Sequence, residues 1–480
     1  MNNEIIHSIG EVFFIFFSFG IVSSYLTLVF VSFFSVKKYM KKDRLTNYKD
    51  LLGSEMAPSI SLIAPAYNEG MTIVENIKSM LSLEYNNYDV IVVNDGSKDD
   101  TLPKVIKAYD LEEVPFYVNG KVKTASIRGI YKSRNKAFRK LTFIDKKNGG
   151  KADALNAGIN VSSSRLVTCI DVDCIIENDA LQRMVKPFME DAETIASGGV
   201  VRIANSCVVE HGKLVKVNLP TNRLARFQVL EYLRAFLMSR MAWAKMNGLL
   251  LISGAFGMFD RKLVLRAGGY NTDTVGEDME LVVRMRSLLD KENKKYKVNL
   301  IPDPLCWTEG PTTNKVLGKQ RNRWARGTFE VLKEHRKVFL NPKYKVMGIL
   351  SYPFWLFFEW LAPFVEGFGL IYTFSHLFFG TISWKYFLGF TILVYFFSLF
   401  ISTFTLYTEE ISFHKYKGVK SQLKLFLAAV LEPFIFHPRN TWWSLKGHWD
   451  LLKGIKSWGE MTREGFAQNT KSVPTYQPQS

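Results

Sequence analysis

The chain has 480 residues, of which 47% are hydrophobic and 14% aromatic, and this apolar content exceeds what one soluble core requires. Part of the chain is therefore predicted to lie in lipid. The net charge of +17 could indicate nucleic acid, but the Lys and Arg residues are spread along the chain without the spacing of a nucleic-acid-binding motif. This argues against nucleic acid and favours anionic lipid and phosphate substrates.

The first element in the chain is an uncharged run of 23 residues, Val12–Phe34. At about 1.5 Å of rise per residue, it is long enough to cross the hydrocarbon core of a bilayer as one helix. A signal peptide would begin with basic residues, and Met1–Glu11 has none. Basic residues follow in Lys37–Arg44, so the positive-inside rule predicts an uncleaved anchor over residues 1–42, followed by a cytoplasmic region.

The next region alternates between strand-like and helix-like patterns. Apolar runs at Ile60–Ala64, Val90–Val93 and Leu166–Ile170 predict strands buried on both faces, separated by helical stretches such as Met71–Leu83. Such alternation builds a mostly parallel sheet whose ligand crevice lies at the carboxyl ends of the strands. We therefore predict an α/β domain over residues 43–340.

Two features of this domain do not indicate a catalytic or binding role. The stretch 112–147 is basic and irregular, and it is predicted to be a solvated insertion, with a phosphate or membrane-surface patch as the alternative. The cysteines lack Cys-x-x-Cys spacing and fall in the region placed in the reducing cytoplasm. Free, partly buried thiols are expected.

The composition becomes apolar again in the C-terminal third. The stretch 348–379 contains prolines and glutamates, which predicts one long kinked helix or an interfacial helix that continues into a span. Residues 386–408 are uncharged and long enough to span. The short stretch 425–436 either spans with the help of its flanks or re-enters the bilayer. The predicted regions are a membrane region over 341–445 and a basic amphipathic stretch with a polar tail over 446–480.

Acidic side chains follow two of the predicted strands. Asp95 lies in an Asn-Asp-Gly sequence after the second strand, and Asp171 and Asp173 follow the third. Alone, Asn-Asp-Gly is ordinary turn chemistry, and an isolated Asp-x-Asp is more often surface polarity than a metal site. Directly after a buried strand, however, two carboxylates this close favour a bound cation, and their oxygen atoms suit Mg²⁺ or Mn²⁺ bridging a diphosphate.

Two further segments begin predicted helices. Gly149–Gly158 resembles a flexible turn followed by a helix, whose N-terminal amides and Lys151 could hold a phosphate or donor sugar. A capped helix packed on the sheet would show the same pattern. Glu277 and Asp278 precede an apolar helix, where they either favour the helix N-terminus or provide a general base.

A last polar group lies just before the apolar C-terminal third. Gln320, Arg323 and Trp324 span about one helical turn and therefore share one surface. Arg323 suits a pyrophosphate and Trp324 suits stacking on a sugar face, whereas an Arg and Trp pair at a membrane interface is the alternative. Small residues in Ser253–Gly257 either allow close approach of a sugar chain or form a tight turn.

In this order, the Asn-Asp-Gly, Asp-x-Asp, Glu-Asp and Gln-x-x-Arg-Trp motifs followed by membrane-length segments resemble a membrane-bound processive glycosyltransferase of family 2. Gly149–Gly158 is similar to the sequence found in bacterial poly-N-acetylglucosamine synthases. The resemblance implies a nucleotide-sugar-binding fold of the glycosyltransferase A type with flanking transmembrane helices. It also implies an inverting enzyme that polymerises N-acetylglucosamine from UDP-N-acetylglucosamine into a β-linked exopolysaccharide.

The resemblance implies a role for each matching residue. Asp278 would be the general base beside Glu277, and Asp173 would bind Mg²⁺ or Mn²⁺. The residues implied in binding the nucleotide-sugar are Ala64, Pro65, Tyr67, Glu69, Asp95, Lys151 and Asp171. The residues implied in binding the acceptor or diphosphate are Gly254, Gln320, Arg323 and Trp324.

The chain departs from the family pattern in three places. Residues 276–278 read Gly-Glu-Asp where cellulose and poly-N-acetylglucosamine synthases usually have Thr-Glu-Asp, the stretch 112–147 is long, and a single span precedes the catalytic region. Two alternatives therefore stay open. One is a nonprocessive transferase that adds one sugar to a lipid-linked acceptor, and the other is a catalytically inactive membrane scaffold, which would lack a catalytic carboxylate.

The resemblance also indicates partners and a location. The expected partners are a UDP-sugar donor, a growing glycan acceptor and membrane lipid, with a small membrane subunit as a further candidate and no nucleic acid. The expected location is the cell (inner) membrane, crossed several times, with the catalytic domain in the cytoplasm.

Overall fold

The computed structural model describes residues 2–48, 57–118, 120–210 and 212–455. The strands are β1 (Ile60–Ala66), β2 (Tyr88–Asn94), β3 (Leu111–Glu113), β4 (Ile127–Ser133), β5 (Leu141–Lys146), β6 (Leu166–Ile170), β7 (Ile175–Ile176), β8 (Thr194–Ile203), β9 (Val208–Glu210), β10 (Lys213–Lys216), β11 (Phe256–Asp260) and β12 (Lys297–Thr308). They form a ten-stranded sheet in the order β3-β4-β5-β2-β1-β6-β11-β8-β12-β7 and a separate hairpin of β9 and β10.

The centre of the sheet is the parallel set β5-β2-β1-β6. Its strands are apolar and buried on both faces, so that Leu62 packs in one hydrophobic cluster and its neighbour Ile63 in another. Strand β11 runs antiparallel to both β6 and β8, which makes the whole sheet mixed. This architecture confirms the predicted α/β fold class and the three predicted strands.

The prediction of a solvated insertion over 112–147 is wrong. This stretch contains β4 and β5, and β5 pairs in parallel with β2 at the centre of the sheet. All residues of β5 are buried, including Lys146. The basic composition hid the strand because Lys146 is a charged residue that is buried together with its carboxylate partners Asp95 and Asp153.

Helices cover both faces of the sheet and extend beyond it. They are α1 (Asn2–Asp43), α2 (Ile73–Leu81), α3 (Thr101–Tyr109), α4 (Lys151–Val161), α5 (Ala180–Glu190), α6 (Arg223–Leu233), α7 (Met241–Lys245), α8 (Arg261–Arg266), α9 (Glu277–Lys291), α10 (Asn314–Glu334), α11 (Ala362–Phe378), α12 (Trp384–Ser412), α13 (Val419–Ile435) and α14 (His437–Leu452). A π-helical segment, Arg234–Arg240, joins α6 to α7, and short helical turns lie at Lys136–Phe138, Arg336–Val338 and Pro342–Tyr344.

Among the described residues, two helical stretches are long and apolar enough to cross a membrane, Val12–Asp43 and Phe387–Ser412. Met347–Trp360 and Ala362–Phe378 would add a third crossing if this pair, bent by 40°, forms one span. These stretches match the spans predicted near the N-terminus and over 386–408, and the predicted kinked helix before them. The predicted short segment lies in α13, whose 17 residues are shorter than a full span.

Ion pairs join the sheet domain to these apolar helices. Arg202, at the end of β8, pairs with Glu409 of α12, and both side chains are buried. Arg234, after α6, pairs with Glu432 of α13 at 2.9 Å. Breaking a buried pair leaves an uncompensated charge, so these contacts hold the domain against the helices.

Candidate active site

The first contact in the site joins Lys151 to Asp171. Lys151 begins α4 after Gly150, whose φ of 89° favours glycine and turns the chain into the helix. Asp171 directly follows β6, at the carboxyl end of the parallel strands. The Lys151 Nζ atom lies 2.5 Å from Asp171 Oδ1. Two residues predicted to bind the donor thus form one ion pair at the predicted edge of the sheet.

Asp278 contacts the loop that precedes β11. The Gly254 amide donates a hydrogen bond to Asp278 Oδ2 at 3.1 Å, and Lys151 Nζ donates to the Gly254 carbonyl oxygen at 3.5 Å. A Cβ atom on Gly254 would lie 3.1 Å from Lys151 Nζ and 3.5 Å from Asp278 Oδ2. A side chain here would crowd the lysine, so glycine brings the loop, the carboxylate and the ammonium group together.

Glu277 is buried beside this group, with 4% of its surface exposed. Burial raises the pKa of Glu277 to about 7; the charge of Asp278 adds to the increase, while Lys151 and Arg323 oppose it. Burial lowers the pKa of Lys151, but the charges of Asp171 and Glu277 outweigh this effect and raise it. Arg323 is therefore close enough to Glu277 to influence its ionisation.

Asp173 lies next to Asp171 in a small group of potential metal ligands. One ligand atom from each of Asp171, Asp173 and Cys174 lies within 4.8 Å of the others. A hydrogen bond to Cys306, together with burial, raises the pKa of Cys174, so this residue is a neutral thiol and a poor ligand for a hard cation. The two carboxylates are thus the groups that suit Mg²⁺ or Mn²⁺. All four cysteines are free thiols, as predicted.

Asp95 lies in a buried network beneath the start of α4. Lys146 Nζ is 2.5 Å from both Asp95 Oδ1 and Asp153 Oδ1, and its side chain is completely buried. The amides of Gly149 and Gly150 donate to the Asp95 carboxylate at 2.9 and 2.7 Å. Asp95 therefore fixes the turn that begins α4. Its predicted contact with the nucleotide stays a prediction, which requires this network to open.

The segment from the end of β1 to Glu69 divides into buried and accessible parts. Ala64 lies within β1 and is completely buried, so its side chain packs in the core, and its predicted contact with the donor stays a prediction. Pro65 follows it in the same strand and is half-buried. Tyr67 is 45% exposed, and Glu69 accepts a hydrogen bond from the Thr72 hydroxyl at 3.1 Å. Of the four residues predicted here to bind the donor, Tyr67 is the one with an exposed side chain.

Two glycines place α10 against the Glu277 and Asp278 pair. A Cβ atom on Gly327 would lie 2.9 Å from the Gly276 Cα atom, so the backbones are in direct contact. Glu330, one turn later on α10, accepts hydrogen bonds from the Thr274 hydroxyl at 2.8 Å and the Val275 amide at 3.0 Å. The Gly-Glu-Asp sequence thus has a structural reason, because Gly276 gives α10 room to approach.

Trp324 lies on a different part of α10 and is 40% exposed. The Arg321 guanidinium group lies 4.1 Å from the centre of its ring, within the range of a cation–π contact. Arg321 also donates to Gln320 Oε1 at 3.2 Å and pairs with Glu231 of α6. The Trp324 ring is therefore held against Arg321 and is partly exposed.

The structure brings most of the predicted site together. The residues joined by direct contacts or by mutual electrostatic influence are Lys151, Asp171, Gly254, Glu277, Asp278 and Arg323. Asp173 adjoins Asp171, and Asp95 is linked to Lys151 through the turn that begins α4.

The sequence interpretation missed three residues that support the site, Lys146, Gly327 and Glu330. Lys146 lies in the basic stretch that the sequence predicts to be solvated. Gly327 and Glu330 follow the Gln-x-x-Arg-Trp motif at helical spacing, and a glycine inside a helix is a signal for a close backbone approach. Nothing in the sequence indicated which segment would approach it.

Comparison with known proteins places the chain in a family. Residues 57–327 match the family described as glycosyltransferase-like family 2. The poly-beta-1,6-N-acetyl-D-glucosamine synthase of Staphylococcus epidermidis is 30% identical over 301 residues, which is 62% of this chain and 62% of that protein. The synthase of the same name from Staphylococcus aureus is 28% identical over 60% of this chain and 58% of its own length. The matched region thus spans less than two thirds of these relatives.

Among solved structures, the mannosyltransferase PcManGT from Pyrobaculum calidifontis, in complex with GDP-Man and Mn²⁺, covers 91% of this chain and 99% of its own. Its identity is 17% and its TM-score 0.49, so this likeness does not bear on the site. The family match, in contrast, covers more than half of the chain and includes every residue of the cluster around Lys151 and Asp278. The chain belongs to glycosyltransferase family 2.

Proposed function

We propose that the protein is a membrane-bound, inverting and processive glycosyltransferase that polymerises N-acetylglucosamine from UDP-N-acetylglucosamine into a β-linked exopolysaccharide. The observation that carries the proposal is the cluster in which Lys151, Asp171, Gly254 and Asp278 lie within hydrogen-bonding or ion-pairing distance. The names of the staphylococcal relatives support the choice of sugar. The retained carboxylates argue against the inactive scaffold.

Asp278 is the proposed general base. Its carboxylate is oriented by the amides of Gly254 and Met279, which donate to separate oxygens at 3.1 and 2.9 Å. It removes the proton of an acceptor hydroxyl as that oxygen bonds to the anomeric carbon of the donor and the bond to the diphosphate breaks. UDP departs from the opposite face, and one in-line displacement inverts the configuration.

The cationic side chains are the proposed partners of the departing diphosphate. Lys151 and Arg323 approach from different helices and both influence the ionisation of Glu277. Positive charge placed in advance where negative charge develops lowers the barrier without further reorganisation. Glu277 would hold these cations in place when no donor is bound.

A divalent cation fits beside this group. The carboxylates of Asp171 and Asp173 are hard oxygen donors within 4.8 Å of each other, and Asp173 is the proposed ligand because Asp171 is paired with Lys151. When bound, Mg²⁺ or Mn²⁺ would neutralise charge on the diphosphate of the donor. Lys151 would then leave its ion pair with Asp171 and pair with a phosphate oxygen of the donor.

The proposed location is the cell membrane, crossed by α1 and α12 and by the bent pair before residue 379, with the sheet domain in the cytoplasm. The apolar lengths of these helices and the basic residues after α1 support this orientation. A cytoplasmic domain has access to UDP-sugars, and the growing glycan would leave through the membrane region. Membrane lipid and a small membrane subunit are the further proposed partners.

Incubation of membranes containing the protein with a panel of radiolabelled UDP-sugars tests the proposal. Incorporation from UDP-N-acetylglucosamine into a ladder of products supports it. A single addition to a lipid supports the nonprocessive alternative, and incorporation from a different sugar corrects the donor. Membranes containing Asp278→Asn protein provide the matched control, because this variant keeps the size of the side chain and removes its basicity.

A further inference from the structure

Helix α14 presents a regular basic and aromatic face to its surroundings. Arg439, Trp442, Lys446, Trp449 and Lys453 recur at intervals of three and four residues, which places them on one side of a helix. All five are exposed, and Trp442 and Trp449 keep 66% and 59% of their surface accessible. Lys453 Nζ lies 5.4 Å from the centre of the Trp449 ring. We call these five residues the Trp–Lys face.

The opposite side of α14 packs on the helix that carries Gln320, Arg323 and Trp324. Gly447 is so close to α10 that a Cβ atom there would lie 2.6 Å from the Asn322 carbonyl oxygen. The Asn322 side chain donates to Asp450 Oδ2 at 2.7 Å. Gly318, one turn earlier on α10, contacts the Trp443 ring, because a Cβ atom there would lie 2.8 Å from its Nε1 atom.

Helix α14 also contacts the apolar helices. His448 packs on Phe364 of α11, with the ring centres 4.5 Å apart, and the Thr441 hydroxyl donates to Glu366 of α11 at 2.6 Å. The exposed apolar residue Phe434 belongs to α13, which ends directly before α14 begins. The Trp–Lys face therefore belongs to a helix that connects the catalytic domain with the candidate membrane region.

We propose that the Trp–Lys face binds the anionic phospholipid headgroups of the surrounding membrane and thereby fixes α10 in its catalytic position. Indole rings favour the boundary between hydrocarbon and water, and lysine and arginine side chains between them complement phosphate groups. The lipid contact reaches the site along a continuous path. Helix α14 holds one face of α10, and Gly327 on another face contacts Gly276 beside Glu277.

The first test measures contact with lipid and requires no turnover. The full-length protein is reconstituted in vesicles of phosphatidylcholine brominated near the headgroup, with and without phosphatidylglycerol. We expect the bromine atoms to quench part of the tryptophan fluorescence in the wild type, and we expect that part to be lost in the Trp442→Phe/Trp449→Phe variant. Equal quenching in both proteins would overturn the proposal, because the face would then be occupied by a protein or by water.

The second test measures the effect of lipid charge on rate, and it rests on the proposed transfer reaction. Each basic side chain at an anionic surface changes binding by roughly fivefold, so the Arg439→Gln/Lys446→Gln/Lys453→Gln variant should lose most of the stimulation that phosphatidylglycerol gives the wild type. The matched control replaces Lys107 on α3, together with Lys136 and Arg139 between β4 and β5, all of which are exposed. The proposal fails if the control loses the stimulation equally or if the wild type shows none.

A third variant separates lipid binding from its transmission to the site. Gly447→Ala inserts a methyl group against the backbone of α10 and leaves the Trp–Lys face intact. We expect normal quenching with a reduced rate in phosphatidylglycerol, and an unchanged rate would refute the transmission step. If no preparation transfers sugar, the proposed function fails, whereas the quenching test still decides the lipid contact.

Discussion

At the scale of single residues, Asp278 has the contacts expected of a general base. The Gly254 amide holds one oxygen of the carboxylate, and an asparagine could keep that hydrogen bond. We expect Asp278→Asn to lower the transfer rate by roughly 10²–10⁴-fold while donor affinity stays near that of the wild type. Turnover and calorimetric titration with the UDP-sugar measure the two effects. Asp273→Asn, an exposed carboxylate in the loop that precedes α9, is the control, and a parallel loss of donor binding in Asp278→Asn would contradict the assignment.

The raised pKa of Glu277 leads to a predicted pH dependence of donor binding. Because its pKa is raised to about 7, the side chain becomes neutral as pH falls through this value and no longer competes with the diphosphate for Lys151 and Arg323. We therefore expect the KM for the donor to decrease as pH falls through 7 and to increase above it. Glu277→Gln should abolish this inflection, whereas the exposed control Glu84→Gln should keep it. An inflection that persists in Glu277→Gln would exclude Glu277 as its source.

Lys146 is predicted to stabilise the fold as well as the site. Its removal leaves Asp95 and Asp153 buried without their shared cation, which costs roughly 3–5 kcal/mol when a buried pair is broken. Lys146→Met should therefore unfold at a clearly lower temperature than the wild type. Thermal unfolding in detergent measures this, with Lys147→Met at the exposed neighbouring position as the control. A similar decrease in both variants would indicate a general effect of lost charge.

At the scale of elements, strands with strongly apolar sequences were predictable. A strand that buries a charged residue with its partners was not. The strands β1, β2 and β6 contain strongly apolar runs, so their positions followed from the sequence, as did the acidic residues after β2 and β6. Strand β5 is also buried in the sheet, but the charge of Lys146 made its sequence look solvent-exposed. The position of α10 was equally hidden, because the contact between Gly276 and Gly327 depends on two segments that are distant in sequence.

That contact gives a prediction for α10 as an element. Gly327→Ala places a methyl group 2.9 Å from the Gly276 Cα atom, so the helix must shift away from Glu277 and Asp278. A displacement of about 1 Å in a site can cost roughly a hundredfold in rate, and we expect a decrease of that order in kcat/KM. Gly389→Ala is the matched control, because it changes a helical glycine that has open space around it. Equal rates in the two variants would show that α10 tolerates the shift.

At the scale of the whole molecule, hydropathy predicted which segments are apolar, but it could not predict how they pack on the sheet domain. The candidate spans Val12–Asp43 and Phe387–Ser412 were recognisable by their length and apolar composition. The docking of α12 and α13 depends on pairs such as Arg202 with Glu409, whose members are separated by about 200 residues in the chain. In the sequence, nothing near either residue indicates its partner.

The pair of Arg202 and Glu409 therefore gives a prediction about the integrity of the whole molecule. Arg202→Met leaves Glu409 buried and unpaired, which should cost roughly 3–5 kcal/mol and make the junction between β8 and α12 accessible to protease. Arg202→Met/Glu409→Leu replaces the pair with apolar side chains and should recover most of the lost stability. Thermal unfolding and limited proteolysis in lipid nanodiscs measure both variants. If the double variant is as unstable as the single one, packing around the pair holds the domain to the apolar helices, and the ion pair contributes little.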